Sequence, residues 1–254
     1  MTTALITNDD GIDSPGLLRL ARIAFDEGFD VIVAAPAKQS SGSSASIIGA
    51  ENDGRIRFER REFDGLDGVP AFAVQAAPAL ISLIAEHGAF GKSPDLVFSG
   101  INKGANVGRA ILHSGTVGAA LTAGLNGARG LAVSLDVGMS PLECHWDAAA
   151  PLVRQLIARL LDRPDGTVFN LNVPNVADAS LELREGPLAS FGIVQTTMTQ
   201  NDETNVRLSV ADTPADQTAG TDADLLAAGF ATVTSIAPVG EAAAPALEPA
   251  QSVP

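Results

Sequence analysis

Residues 1–36 constrain the fold more than any other part of the chain. Ala4-Leu5-Ile6-Thr7 is a short apolar run of the kind that forms a buried strand. Ser14-Pro15 reads as an N-cap followed by proline at the first helical position, and the helix it opens runs to about Glu27 and stops at Gly28. Phe29 to Ala35 is a second apolar strand, ended by Pro36. Strand, helix and strand at this spacing make one βαβ unit, right-handed by default. The first strand ends abruptly in Asn8-Asp9-Asp10-Gly11. Ligands of open α/β sheets gather beyond the carboxyl ends of the strands, so Asp9 and Asp10 stand where chemistry is expected. Adjacent carboxylates repel unless a cation, a proton or hydrogen-bond donors compensate them, and a hard ion such as Mg²⁺ prefers oxygen ligands. Asn-Asp-Asp-Gly is also a good turn sequence, so the pair needs support from the rest of the chain.

The loops after the other strands supply that support. The polar loop Lys38-Gln39-Ser40-Ser41-Gly42-Ser43-Ser44 lies after the second strand, on the same edge as Asp9. Its hydroxyls and glycine offer ligand oxygens and exposed amides, although such a loop also serves as a plain connection. Asp95-Leu96-Val97-Phe98 is another buried strand and leads into Ser99-Gly100-Ile101-Asn102-Lys103-Gly104-Ala105-Asn106-Val107-Gly108. This glycine- and asparagine-rich stretch is expected to be a loop, and its spacing fits neither a Walker A loop nor a dinucleotide fingerprint. Asparagine carbonyls ligate hard metals and asparagine amides donate to phosphate oxygens. His113-Ser114-Gly115-Thr116 then opens a helix with Val117, Ala120, Leu121 and Leu125 on one stripe. A small-residue turn at a helix start presents free N–H groups to an anion, while Ser114 and Thr116 in simple capping roles would use the same atoms.

The remaining segments read as scaffold. Residues 51–75 are strand-like pieces with turns at Asn52-Asp53-Gly54 and Asp64-Gly65, and Arg55, Arg57, Arg60 and Arg61 are expected on a solvated face. Pro78 to His87 reads as a helix, Gly130 to Asp136 as a strand, His145 to Leu161 as an amphipathic helix and Thr167 to Val173 as a strand. From about Glu185 the composition turns polar. Residues 185–222 are expected to be an extended arm, strand-like at Val206 to Val210, that packs on another subunit, because they hold too few apolar residues for a core. Asp222 to Ala228 reads as a helix and Ala231 to Ile236 as a last strand. The expected organisation is a core over 1–184, the arm over 185–222, a return to the core over 223–238 and a disordered Ala/Pro-rich tail over 239–254.

Composition narrows the partners. Thirty Asp and Glu against 16 Lys and Arg give a formal charge of −14, which argues against broad nucleic-acid or anionic-membrane binding. It leaves room for a small anion held locally by a metal and backbone amides. Cys144 is the only cysteine, so neither an intrachain disulfide nor a cysteine metal cluster can form. No apolar run approaches membrane-spanning length and the N-terminus has no basic leader, so a soluble cytoplasmic protein is expected.

Taken together, these motifs resemble those of the SurE survival proteins, a family of metal-dependent nucleoside monophosphate phosphatases. The resemblance rests on Asn8-Asp9-Asp10-Gly11 with Pro15-Gly16, on Ser41-Gly42, on Ser99-Gly100-Ile101-Asn102 with Gly104 and Asn106, and on Ser114-Gly115-Thr116-Val117. Asn172-Val173-Pro174 and Gly220-Thr221-Asp222 also fit, so it spans roughly residues 3–238. It implies an α/β fold: a three-layer Rossmann-like core with a mostly parallel sheet and an extended C-terminal β arm exchanged between subunits of a homodimer or homotetramer. It also implies one divalent metal ion per subunit, Mg²⁺ or Mn²⁺, held by Asp9, Asp10, Ser41 and Asn102. Asn8, Gly42, Asn106 and the Ser114-Gly115-Thr116 turn would hold the phosphate of a nucleoside monophosphate or other small phosphomonoester.

The implied activity is 5′-nucleotidase, with 3′-nucleotidase and short-chain polyphosphatase as extensions. Attack by water would be assisted by Asp9, Asp10 and Asn102, and His113 is a candidate to protonate the leaving alkoxide. The chain departs from the family pattern at Ala76-Ala77-Pro78-Ala79-Leu80-Ile81, at Ala45 and at His113. None is an implied metal ligand; the departures fall on the substrate side. Two alternatives compete: a covalent aspartyl-phosphate phosphatase, whose signature is Asp-x-Asp rather than adjacent acids, and a catalytically impaired metal-binding scaffold. A receiver domain fits less well, since no phosphoacceptor Asp and paired Lys come after the later strands.

Overall fold

The computed structural model describes residues 1–49, 51–138, 143–177, 180–190, 194–201, 206–212, 218–237 and 239. In chain order the elements are β1 (Thr3–Thr7), α1 (Pro15–Asp26), β2 (Asp30–Pro36), the short pair β3 (Glu51–Asn52) and β4 (Arg55–Ile56), β5 (Phe58–Arg61), β6 (Ala71–Val74) and α2 (Pro78–Glu86). They continue with β7 (Leu96–Lys103), α3 (Gly115–Leu125), β8 (Arg129–Asp136), α4 (Ala150–Leu161), β9 (Val168–Pro174) and β10 (Leu183–Glu185). The last are β11 (Val194–Asn201), β12 (Val206–Asp212), α5 (Asp222–Ala227) and β13 (Ala231–Ile236).

A nine-stranded mixed sheet in the order β10-β13-β9-β8-β7-β1-β2-β6-β5 organises these elements. Strands β6, β2, β1, β7, β8 and β9 run parallel, while β5 and β13 are antiparallel to their neighbours β6 and β9. Alternate residues of β1 serve opposite faces, as strand geometry requires. Ala4 and Ile6 join the core shared with Leu17 and Leu20 of α1 and Leu156 of α4, and Leu5 joins the core shared with Ile81 of α2. Helices therefore flank the sheet on both sides. Both faces of its central strands are apolar, which is why β1, β2 and β7 read as continuous apolar runs rather than alternating ones.

The strand order also locates the ligand edge. From β1 the chain moves outward to β2 and β6, then returns to the other flank of β1 and moves outward again through β7, β8 and β9. The reversal falls between β1 and β7, and the crevice beyond the carboxyl ends of such a strand pair is where open sheets receive ligands.

Several boundaries differ from the sequence expectation. Ser99 to Lys103, expected as loop, extends β7, with the register against β8 shifting between Ser99 and Asn102. Gly100 makes this possible: its φ is +133° and a Cβ there would collide with the Val133 carbonyl oxygen. The helix expected from His145 begins at Ala150 behind a 3₁₀ turn over Trp146–Ala149, and Leu161, expected on its apolar face, is exposed. Leu125, expected on the buried stripe of α3, is likewise exposed, and Ala119, Ala123 and Gly124 are buried in its place. Strand β5 forms one edge of the sheet; Arg60 and Arg61 are exposed as expected, but Phe58, expected to alternate with them, is exposed as well.

Beyond β10, β11 and β12 pair antiparallel as a separate two-stranded sheet. This extended arm carries one strand that the sequence pattern does not reveal, because Thr and Gln give β11 no apolar alternation to read. Helix α5 and β13 then return to the main sheet, Thr221 capping α5 through Asp224 N–H. Of the expected disordered tail only Val239, which is exposed, lies among the described residues; 240–254 lie outside them. Among the described residues no helix is long and apolar enough to cross a membrane.

Candidate functional site

The turn after β1 braces itself before it presents anything. Asn8 is fully buried, its Nδ2 donating to the Gly11 carbonyl at 3.0 Å and its Oδ1 accepting from Gly11 N–H at 3.1 Å. An asparagine used at both ends in this way closes the turn and aims the two residues between. The family resemblance offers Asn8 for phosphate; in the fold its amide is spent on the turn.

Asp9 reaches the start of α3. Thr116 Oγ1 donates to Asp9 Oδ1 at 2.6 Å and Thr116 N–H donates to Oδ2 at 3.2 Å. The positive end of a helix is a favourable seat for a carboxylate. Burial nevertheless dominates and raises the Asp9 pKa from its ordinary value of 3.8; the Thr116 hydroxyl pulls it back and the neighbouring Asp10 charge pushes it up again. Asp10 is half-buried and accepts Lys103 N–H at 3.0 Å. Burial raises its pKa as well, against the opposing pull of the Lys103 amide and ammonium. The two strands flanking the reversal point are thereby joined through Asp10 and Lys103.

Helix α3 presses directly on this turn. A Cβ at Gly115 would collide with Ser43 Oγ and stand 2.9 Å from Asp9 Oδ2, so only glycine admits the helix start this close. Ser43 Oγ is itself buried and has no hydrogen-bond partner among the described residues. Nothing in the sequence distinguishes it from the other hydroxyls of its loop, and only its packing against Gly115 marks it. Ser40 N–H donates to the Asp9 carbonyl at 2.7 Å, seating the 38–44 loop beside the carboxylates. Ser41 and Gly42 are exposed on that loop, Ser41 Oγ accepting from Gln39 Nε2 at 2.9 Å.

The donors expected for phosphate are partly committed. In the Ser114-Gly115-Thr116 turn, Ser114 N–H donates to the Ile111 carbonyl, Ser114 Oγ accepts from Val117 N–H as a helix cap, and Thr116 serves Asp9. Among the described residues Gly115 N–H meets no acceptor outside its own helix, and it is the donor that turn retains.

Asn106 is gripped from two strands. Its N–H donates to Asn172 Oδ1 at 2.7 Å, its carbonyl accepts Asn170 Nδ2 and Asn172 Nδ2 at 2.8 Å each, and its own Nδ2 donates to Ser134 Oγ at 2.8 Å. Asp222, fully buried, accepts the N–H groups of Gly108, Ala189 and Ala223 at 2.8 Å each, so the base of the arm is tied to the segment after Asn106. Asn170 and Ser134 carry no signal in the sequence, and Asp222 only its place in the Gly220-Thr221-Asp222 motif, since what these side chains hold is set by long-range contacts.

A metal at this edge would be held by oxygen. Among the described residues no group of three or more His, Cys, Asp or Glu side chains is gathered. Two carboxylates with neutral oxygens remain, a donor set suited to a hard divalent ion and unsuited to a soft one. Asn102 Nδ2 donates to the Gly104 carbonyl at 2.7 Å, which fixes the amide so that Oδ1 is the atom that could meet an ion. The buried, like-charged carboxylates supply the demand for a cation. The residues fit the group.

The chain matches the family model for survival protein SurE over residues 4–205. Among curated relatives it is 39% identical over 187 residues to 5′-nucleotidase SurE of Rubrobacter xylanophilus, covering 70% of this chain and 68% of that one. It is 34% identical over 250 residues to 5′-nucleotidase SurE of Rhodopseudomonas palustris, covering 91% and 92%. Its fold is similar to the crystal structure of the SurE protein from Aquifex aeolicus, with a TM-score of 0.72 at 24% identity over 93% of this chain and 94% of that one. With the paired acids, the Asn102-to-Asn106 stretch and the Ser114-Gly115-Thr116 turn on one sheet edge, and with a family match across most of its length, this chain belongs to the SurE family.

Proposed function

We propose that this protein is a divalent-metal-dependent phosphatase that hydrolyses nucleoside monophosphates, with 5′-nucleotides as the main substrates and 3′-nucleotides as further ones. The observation that carries the reading is the Asp9–Asp10 pair at the β1–β7 reversal point, both pKa values raised by burial. The names of the curated relatives support the same reaction class.

Asp9, Asp10, Ser41 and Asn102 would hold the ion, which when bound supplies Lewis acidity toward phosphoryl oxygens and an acidified water. Thr116 fixes the Asp9 carboxylate, so Asp9 is the group placed to orient the attacking water or take its proton. Gly115 N–H and the side chain of Asn106, whose backbone is held by Asn170 and Asn172 and whose amide meets Ser134, would face the charge that builds on the phosphoryl group. His113, exposed beside the α3 start, would protonate the leaving alkoxide.

The test is hydrolysis of AMP and p-nitrophenyl phosphate before and after exhaustive chelation, with Mg²⁺ or Mn²⁺ restored. Loss on chelation and recovery on metal addition are expected. Full activity in the chelated enzyme would sink the metal mechanism. The arm hairpin, a two-stranded sheet apart from the main one, we also read as the contact that builds a dimer or tetramer. Deleting 185–222 should give a smaller oligomer or insoluble protein by light scattering, and an unchanged assembly would refute that role.

A further inference from the structure

The chain holds three lysines, Lys38, Lys92 and Lys103. Lys92 is spent away from the site, its Nζ lying 2.8 Å from Asp30 Oδ2 at the amino ends of β2 and β7. Lys103 stands at the ligand edge as the last residue of β7. Its backbone is held there from three directions. Lys103 N–H donates to Asp10 Oδ2 at 3.0 Å, Leu135 of β8 is its register partner, and the Asn102 amide bridges over it to the Gly104 carbonyl at 2.7 Å. The residue is nevertheless exposed, and among the described residues its ammonium closes no ion pair. Burial raises the Asp10 pKa, and the Lys103 N–H and then the ammonium pull it back, so the charge stands within reach of the carboxylate. A compact ammonium on a flexible four-carbon stem, rooted in a fixed backbone, is a charge that can change partners.

We infer that Lys103 is an exchangeable cation, which offsets Asp10 in the metal-free protein and turns to the phosphoryl group of the substrate when a divalent ion holds Asp10. The inference rests on the phosphatase reading above. With Asp10 given over to an ion, the ammonium faces a like charge and has lost its counter-charge. A phosphomonoester, a dianion at neutral pH, brings the counter-charge back and offers oxygens for charge-assisted hydrogen bonds. A phosphodiester carries one negative charge fewer. Lys103 is therefore a residue by which this chain selects monoesters over diesters.

Two variants separate the charge from the backbone contact. Lys103→Gln removes the charge, Lys103→Arg retains it, and both keep the N–H that Asp10 accepts. The side chain is exposed, so neither change reaches the core. On the full chain, the melting temperature is measured in chelator, and Mn²⁺ affinity by titration calorimetry. Binding of inorganic phosphate is measured on the Mn²⁺-loaded protein. Values of kcat/KM are compared for p-nitrophenyl phosphate and bis(p-nitrophenyl) phosphate.

In Lys103→Gln the metal-free melting temperature is expected to fall, Mn²⁺ to bind about threefold more tightly and phosphate about tenfold more weakly. Its kcat/KM should fall about tenfold for the monoester and at most about twofold for the diester. Lys103→Arg should resemble the parent throughout. Unchanged Mn²⁺ affinity and an unchanged monoester-to-diester ratio in Lys103→Gln would overturn the inference and leave Lys103 a solvated surface charge. Weaker Mn²⁺ binding would overturn it as well, because the side chain would then serve only to position Asp10. Equal losses on both esters would overturn the selectivity. A parent that hydrolyses neither ester, but in which Lys103→Gln loses phosphate affinity and gains Mn²⁺ affinity, supports the exchangeable cation and overturns the reaction assigned above.

Discussion

Thr116 grips both oxygens of Asp9, through its hydroxyl at 2.6 Å and its backbone N–H at 3.2 Å, across 107 residues of chain. A carboxylate held this way at the first turn of a helix has a set orientation before any ligand arrives. Removing the hydroxyl should cost about 1.5–3 kcal/mol of stabilisation for the ionised carboxylate, the range for hydrogen bonds to charged groups. Thr116→Val, which keeps the shape of the fully buried side chain, is expected to lower turnover at least tenfold and weaken metal affinity. Thr116→Ser should retain most of both. Metal titration and turnover on the two variants check this, and parent-like behaviour of Thr116→Val would show that the clamp has no part in the reaction.

Asp10 supplies a pH signature. Its pKa and that of Asp9 are raised in the fold, so protonation of either favours the folded state. In metal-free protein their contribution to stability is greatest below the ordinary carboxylate value of 3.8 and is lost as pH rises through the raised values. Asp10→Asn removes one of the paired charges. Its metal-free melting temperature should equal or exceed that of the parent at neutral pH, and the gap should narrow on acidification. Its metal-induced stabilisation and its phosphatase rate should collapse. Melting curves with chelator and with Mn²⁺ across pH test this. Retention of both rate and metal-induced stabilisation would defeat the proposed site, since Asn serves a turn as well as Asp.

Asn172 controls the backbone of Asn106 by donating to its carbonyl and accepting its N–H. Asn172→Ala removes both contacts while Asn170 still reaches the Asn106 carbonyl. A loss of about 1–3 kcal/mol in unfolding free energy is expected for the polar groups left unmatched. Turnover should fall further than stability alone explains, because Asn106 loses its fixed position. Denaturant unfolding and steady-state kinetics measured together separate the two effects.

Asp222 is the arm's anchor to the core. Asp222→Asn sets an amide NH₂ against at least one of the backbone N–H donors it now satisfies, from Gly108, Ala189 and Ala223. The expected cost is about 1.5–3 kcal/mol of stability. Thermal melting and light scattering on the variant test it; unchanged melting would show that the three contacts are dispensable.

The elements and the paired acids are legible in the sequence because their causes are local. Burial on both faces leaves apolar runs such as Ala4 to Thr7 and Phe29 to Ala35, and Ser14-Pro15 and Gly28 mark where α1 begins and ends. A family resemblance then ties the motifs together and implies a ligand set.

Tertiary structure alone decided how the motif atoms are used. Asn8, offered for phosphate, closes its own turn, while Thr116, offered for phosphate, serves Asp9. Ser99 to Lys103, expected as loop, continues a strand because Gly100 can approach Val133. Ser43, Asn170 and Ser134 acquire their roles only through partners far away in the chain, and Asp222, legible only as part of a motif, reaches Gly108 across 114 residues. Local pattern reports whether a side chain is covered; which donor meets which acceptor depends on strand order, and here that order reverses between β1 and β7.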